Sequence, residues 1–137
     1  MRVMVFVPGD ANSEAGTMPS PELVGKMMKF NEELVKAGVM LAGDGLMPTS
    51  TAKRVRFSGS QRTVLDGPFA ETKEVLGGYW MIDVASRAEA IEWARKCPAS
   101  PNEVIEIRQV MEMTDFPADV QQAAAVFEEM HEASRRG

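Results

Sequence analysis

The amino-acid sequence predicts an α+β domain of the ferredoxin-like kind, in which two split βαβ units share one antiparallel sheet. Three observations predict it. Segments of period-two apolar alternation recur along the chain. Two segments of helical periodicity, each opened by a serine, separate them in the order strand, helix, strand, hairpin, strand, helix, strand. The length of 137 residues suits one core, with roughly two-thirds of the unfolded surface removed from water on folding.

Arg2 to Val7 reads as the first strand, with Val3, Val5 and Val7 on one face and Met4 and Phe6 on the other. Both faces are apolar, so both call for cover. A Gly/Asn/Ser-rich loop follows. Ser20 then caps a helix with Pro21 at its first position and Glu22 near the positive end of its dipole. Leu23, Met27, Phe30 and Leu34 form its predicted buried stripe, and Gly38 stands where a left-handed residue ends a helix.

Val39 to Ala42 reads as a second strand, broken by Gly43-Asp44-Gly45 and Pro48. Lys53 to Ser58 and Arg62 to Asp66 form a hairpin through Gly59-Ser60, a Gly-first pair suited to a tight turn. Arg54, Arg56 and Ser58 alternate there with Val55 and Phe57, so one face is expected to meet water or a ligand. Gly78 to Val84 alternates again, with Trp80, Ile82 and Val84 opposite Tyr79 and Met81. Ser86 and Glu89 make a capping box for a helix that runs to Lys96 and stops at Pro98. Val104 to Met113 is the last strand, with Ile105, Ile107, Met111 and Met113 on its core face. Pro117 opens a separate helix whose stripe of Val120, Ala123, Ala124, Phe127 and Met130 is read as a docking face. The chain thus divides into an α+β domain over residues 1–115 and an amphipathic helical extension over 116–137.

Helices on one face of the sheet leave the other open. A second copy of the sheet is its expected cover, which makes the protein a homodimer.

Composition excludes several classes. Twenty acidic against fifteen basic side chains give a net charge of −5, with no basic run long enough to follow a phosphate backbone, so nucleic acid is not an expected partner. The run Val3 to Val7 is too short for a signal-peptide core or a bilayer span, and the single Cys97 fits a reducing compartment. A cytoplasmic protein without membrane partners is expected. Cys97 itself reads as a small buried apolar residue.

The segment Asp66-Gly67-Pro68-Phe69-Ala70-Glu71-Thr72-Lys73-Glu74, followed by Gly77-Gly78-Tyr79, resembles the signature of the DGPF branch of the YCII-related proteins. Phe30-Asn31-Glu32-Glu33-Leu34, Ala37-Gly38-Val39 and Gly45-Leu46-Met47-Pro48 extend the likeness over residues 1 to 113. The resemblance implies a ferredoxin-like fold paired into a dimeric α+β barrel. Some members of the class carry a His and an Asp close together in a cleft. This chain departs from them, because its only histidine is His131, outside the region of likeness. Relatives encoded beside or fused to transcription sigma factors imply, as an alternative, a regulatory interaction module.

Asp66-Gly67-Pro68 is the composition of a sharp reversal. Its second reading is chemical: Asp66, Glu71 and Glu74 point into a cleft with Lys73, where burial and like charge would make a general acid or base. Asp44, Arg56, Asp66, Phe69, Glu71 and Trp80 would then supply a ligand pocket with apolar walls and a few polar groups. Gly43-Asp44-Gly45 fails as a dinucleotide fingerprint, since Pro48 holds the third glycine position and no long helix follows. His131-Glu132 lacks the second histidine of a zinc helix, Arg135 standing there instead. No metal or cofactor is expected, and no motif specifies a reaction.

Overall fold

The computed structural model describes residues 1–69 and 75–136. Strand β1 (Arg2–Pro8) leads into a short helix α1 (Ala11–Glu14), then α2 (Pro21–Lys36) and β2 (Met40–Gly45). The hairpin β3 (Lys53–Ser58) and β4 (Gln61–Asp66) follows, then β5 (Leu76–Asp83), α3 (Arg87–Lys96), β6 (Glu106–Gln109) and α4 (Ala118–Arg136). The main sheet has the order β2-β5-β1-β6 and is antiparallel throughout; β3 and β4 form a separate ribbon. This is the ferredoxin-like order, with β1 central.

The core lies between one sheet face and helices α2 and α3. Val3 and Val5 of β1 and Trp80 and Ile82 of β5 meet Phe30 and Leu34 of α2 and Ala90 of α3. Phe30 packs edge-on against Trp80, with ring centroids 5.1 Å apart and planes at 82°. Such a pair contributes about 0.5–1.5 kcal/mol beyond its burial. The indole N–H of Trp80 donates to Asn31 Oδ1 at 2.7 Å, which satisfies the one polar atom that this ring carries into the core.

Local chemistry sets the helix ends as predicted. Ser20 Oγ accepts from the Leu23 amide, and Gly38 takes a φ of 73° after the last turn of α2. Ser86 Oγ accepts from the Glu89 amide at the start of α3. The Glu89 carboxylate reaches one residue further back than the predicted box, accepting from the Ala85 amide at 2.9 Å. Cys97 is buried at the end of α3, and burial pushes its thiol up to about 11, as suits an inert side chain.

Several expectations are corrected. The loop after β1 contains α1, capped by Asp10, whose carboxylate accepts from the Ser13 amide. Gly43-Asp44-Gly45 continues β2 instead of breaking it, because each residue pairs with β5. Leu23 lies outside the core at the solvent edge of α2, while Phe30 and Leu34 are buried. The last strand is four residues long: Met111 is exposed and Met113 opens a single 3-10 turn, because β6 runs out of partner where β1 begins at Arg2. The ribbon buries none of its residues: Val55, Phe57 and Val64 are exposed along with its arginines, and only Leu65 is half-buried. Helix α4 buries none of its residues against its own chain. Among the described residues, no helix is long and apolar enough to cross a membrane.

Candidate functional site

Two places collect the residues that could carry chemistry: the turn after β4 and the sheet face away from the helices. At the turn, Asp66 ends β4 opposite Lys53, and its Oδ1 accepts from Lys53 Nζ at 2.6 Å. Both side chains are exposed, a setting in which an ion pair contributes little. The Gly67 amide donates to the Ala52 carbonyl at 2.9 Å. A Cβ at Gly67 would stand 1.7 Å from the Thr49 carbonyl oxygen, so the close approach of the two backbones admits only glycine.

Thr49 joins this turn to the first helix. The Phe69 amide donates to Thr49 Oγ1 at 3.1 Å, and the Thr49 hydroxyl donates in turn to the Glu14 carboxylate. The Thr49 amide also donates to Glu14 Oε1 at 3.1 Å. The guanidinium of Arg54 lies over the Phe69 ring, 3.7 Å from its centre. Phe69 is therefore held under a cation, and the Asp66-Gly67-Pro68-Phe69 segment is fastened at three backbone or ring contacts. The other loop candidates, Glu71, Lys73 and Glu74, lie outside the described residues.

The remaining candidates do not meet. Trp80 is 5% exposed and belongs to the helix-side core, so it is no pocket wall. Arg56 lies on the exposed ribbon, paired in register with Thr63. Asp44 sits on the opposite sheet face from Trp80, where its Oδ2 accepts from the Tyr79 hydroxyl at 2.9 Å. That bond to a carboxylate raises the Tyr79 phenol above its ordinary 10.0. His131 is on α4, stacked on Phe127 with ring centroids 6.2 Å apart.

The face that carries Asp44 is built by register. Ala42, Met81, Met4 and Arg108 form one row across the four strands, and Asp44, Tyr79, Phe6 and Glu106 form the next. Met4, Phe6, Tyr79 and Met81 are only half-buried, since among the described residues no helix lies over them. At the Phe6 end this face opens into a depression of about 1070 Å3. Phe6, Pro8, Leu76 and Val104 give it apolar walls, and Asp10, Glu103, Glu106 and Arg108 bring charge to it. Arg108 Nε stands 3.9 Å from Glu106 Oε2. Among the described residues no group of three His, Cys, Asp or Glu side chains is placed to hold a metal ion.

Sequence reasoning missed Glu14 and Thr49, which are 35 residues apart and meet only through the fold. It also named neither Glu106 nor Arg108 as a site residue, although their alternation with Ile105 and Ile107 was the available signal for a shared outer surface.

Fold and site together define a ferredoxin-like α+β domain with one helix-covered sheet face and one open face that ends in a cavity. The YCII-related domain matches residues 1–114, and the chain belongs to that family. It is similar to an uncharacterized protein of Rhizobium meliloti (strain 1021), with 48% identity over 61 residues. That stretch is 44% of this chain and 49% of the relative, so the match spans about half of the relative's length.

Proposed function

We propose that this YCII-related chain, of the DGPF branch, binds a small molecule in the depression at the Phe6 end of the open sheet face. The observation that supports the reading is the cavity itself. Its volume of about 1070 Å3 is enough for a metabolite-sized ligand, and mixed apolar and charged walls are the usual composition of such sites. Val75 and Leu76, which precede Gly77-Gly78-Tyr79 of the signature, line it. The half-buried patch of Met4, Phe6, Tyr79 and Met81 supports pairing of this face with a second copy, which would close the cavity from above.

A thermal-shift screen against a metabolite library tests the reading, because a ligand that prefers the native state raises the midpoint. A genuine hit loses its shift in Arg108→Ala and Phe6→Ala. A library without a hit, or a shift that both variants retain, would reject the site. Light scattering should give near twice 15.0 kDa.

A second reading, a non-catalytic regulatory module of the kind linked to transcription sigma factors, draws support from α4, whose Phe127 is 70% exposed. It predicts capture of a protein partner by α4 with no response to metabolites.

A further inference from the structure

We infer that α4 of one copy docks on the β3–β4 ribbon of a second copy. The inference rests on the pairing of two chains proposed above, and adds which surfaces meet.

Each surface is incomplete alone. On one face of the ribbon the register places Val55 beside Val64 and Phe57 beside Arg62. These apolar side chains remain 50–69% exposed, on a two-stranded ribbon that is marginal in water without a packing partner. Helix α4 has the matching deficit: Val120, Phe127 and Met130 share a stripe, and all three are exposed.

Charge favours the match. The apolar face of the ribbon carries Arg62 beside Phe57 and, at its end, Lys53 paired with Asp66, while Arg54 and Arg56 on the other face add to the positive charge of the element. Helix α4 contains Asp119, Glu128, Glu129 and Glu132 against Arg135 and Arg136 in its last turn, where Arg136 pairs with Glu132. A basic ribbon and an acidic helix attract across an interface and repel their own kind, which selects this contact over ribbon on ribbon or helix on helix.

Topology places the occupant on another chain. The ribbon is inserted between β2 and β5, at the edge of the sheet formed by β2 and at the end where Gly45 pairs with Gly78. Helix α4 follows β6, the opposite edge, and leaves from the opposite end, where Gln109 pairs with Val3. The two elements are thus attached at diagonally opposite corners of one sheet. A two-fold axis that exchanges those corners brings each helix onto the other chain's ribbon and makes the contact twice.

The test uses the full chain with the photo-crosslinking residue p-benzoylphenylalanine in place of Phe57. Copies grown on light and heavy nitrogen are mixed, irradiated and digested. Crosslinks from position 57 to residues 118–136 in mixed-isotope pairs are the expected result. In parallel, Phe127→Lys should raise the dimer dissociation constant by about ten-fold or more. Its unfolding midpoint at low concentration should stay unchanged, because Phe127 is 70% exposed in its own chain. A dimer whose crosslinks avoid α4, crosslinks confined to one chain, or full dimer affinity in Phe127→Lys would each overturn the contact while leaving the pairing intact. A monomer under all conditions would overturn both. Binding of a DNA or RNA oligonucleotide to the ribbon, abolished by Arg56→Glu and unaffected by removal of α4, would assign the basic surface to nucleic acid instead.

Discussion

Gly43 lies directly against the indole of Trp80, its cross-strand neighbour: a Cβ at position 43 would stand 2.7 Å from Trp80 Cδ1 and 2.8 Å from Met40 Cε. The glycine in β2 is there to let the largest core side chain pass. Trp80 cannot retreat, because Phe30 holds its edge and Asn31 its N–H. Gly43→Ala is therefore expected to destabilise the domain by about 1–3 kcal/mol, measured by chemical unfolding. A neutral substitution would show that the indole has room to shift.

Gly67→Ala should cost more than Gly43→Ala, at or above about 3 kcal/mol. The obstacle at 1.7 Å is the Thr49 backbone carbonyl, which has no rotamer to change. Equal losses in the two variants, in the same unfolding experiment, would count against a rigid contact between the turn and residues 49–52.

Asp66→Asn should change stability by less than about 1 kcal/mol, since its partner Lys53 and the carboxylate itself are both exposed. If Asp66 acts on a ligand, binding falls while the unfolding midpoint holds. A large loss of stability with binding unimpaired would reject that role.

Tyr79 is the single tyrosine of the chain, so its phenol can be followed alone by ultraviolet absorbance. The bond to Asp44 should hold its titration above 10.0 in the folded protein. Asp44→Asn should move it downward, because the charged acceptor that favours the protonated phenol is gone. By linkage, a raised acid contributes stability that is present below the unfolded value and is lost as pH rises through the folded one. The stabilising effect of the Asp44–Tyr79 pair should therefore fade in the alkaline range above 10.0. A titration unmoved by Asp44→Asn would dissolve the pair.

At the opposite end of the scale, the Arg2 guanidinium bonded to Glu112 at 2.8 Å holds that carboxyl below its ordinary 4.5. A depressed acid contributes stability above its unfolded value that is lost as pH falls through the folded one. Arg2→Met should raise the Glu112 midpoint, read by carbon-detected NMR, and remove that acid-range dependence. An unchanged midpoint would place the pair in solvent.

Much of this fold was legible because its signals are local. Ser20, Pro21, Gly38 and Ser86 mark helix ends through bonds that span three or four residues, and the alternation of Val3, Val5, Trp80 and Ile82 needs only the pleat of a strand. Gly43-Asp44-Gly45 misled for the opposite reason. Gly43, read as part of a break, is explained by an indole from a strand more than thirty residues later in the chain, which no local pattern records. The same holds for the candidate site: Asp44 was named, but its partner Tyr79, the Glu14–Thr49–Phe69 link and the cavity beside Phe6 are made by segments distant in sequence.

The amino-acid order by itself determined the order of the main strands and helices and the two-faced apolar character of β1, because propensity, capping and periodicity act within a few residues. Tertiary structure alone decided that the face shared by Trp80 and Ile82 is the one the helices cover, that the ribbon and α4 leave opposite corners of the sheet, and that the open face ends in a cavity. Those outcomes depend on which strands become neighbours, and a strand's own residues carry its faces but not the identity of what will cover them.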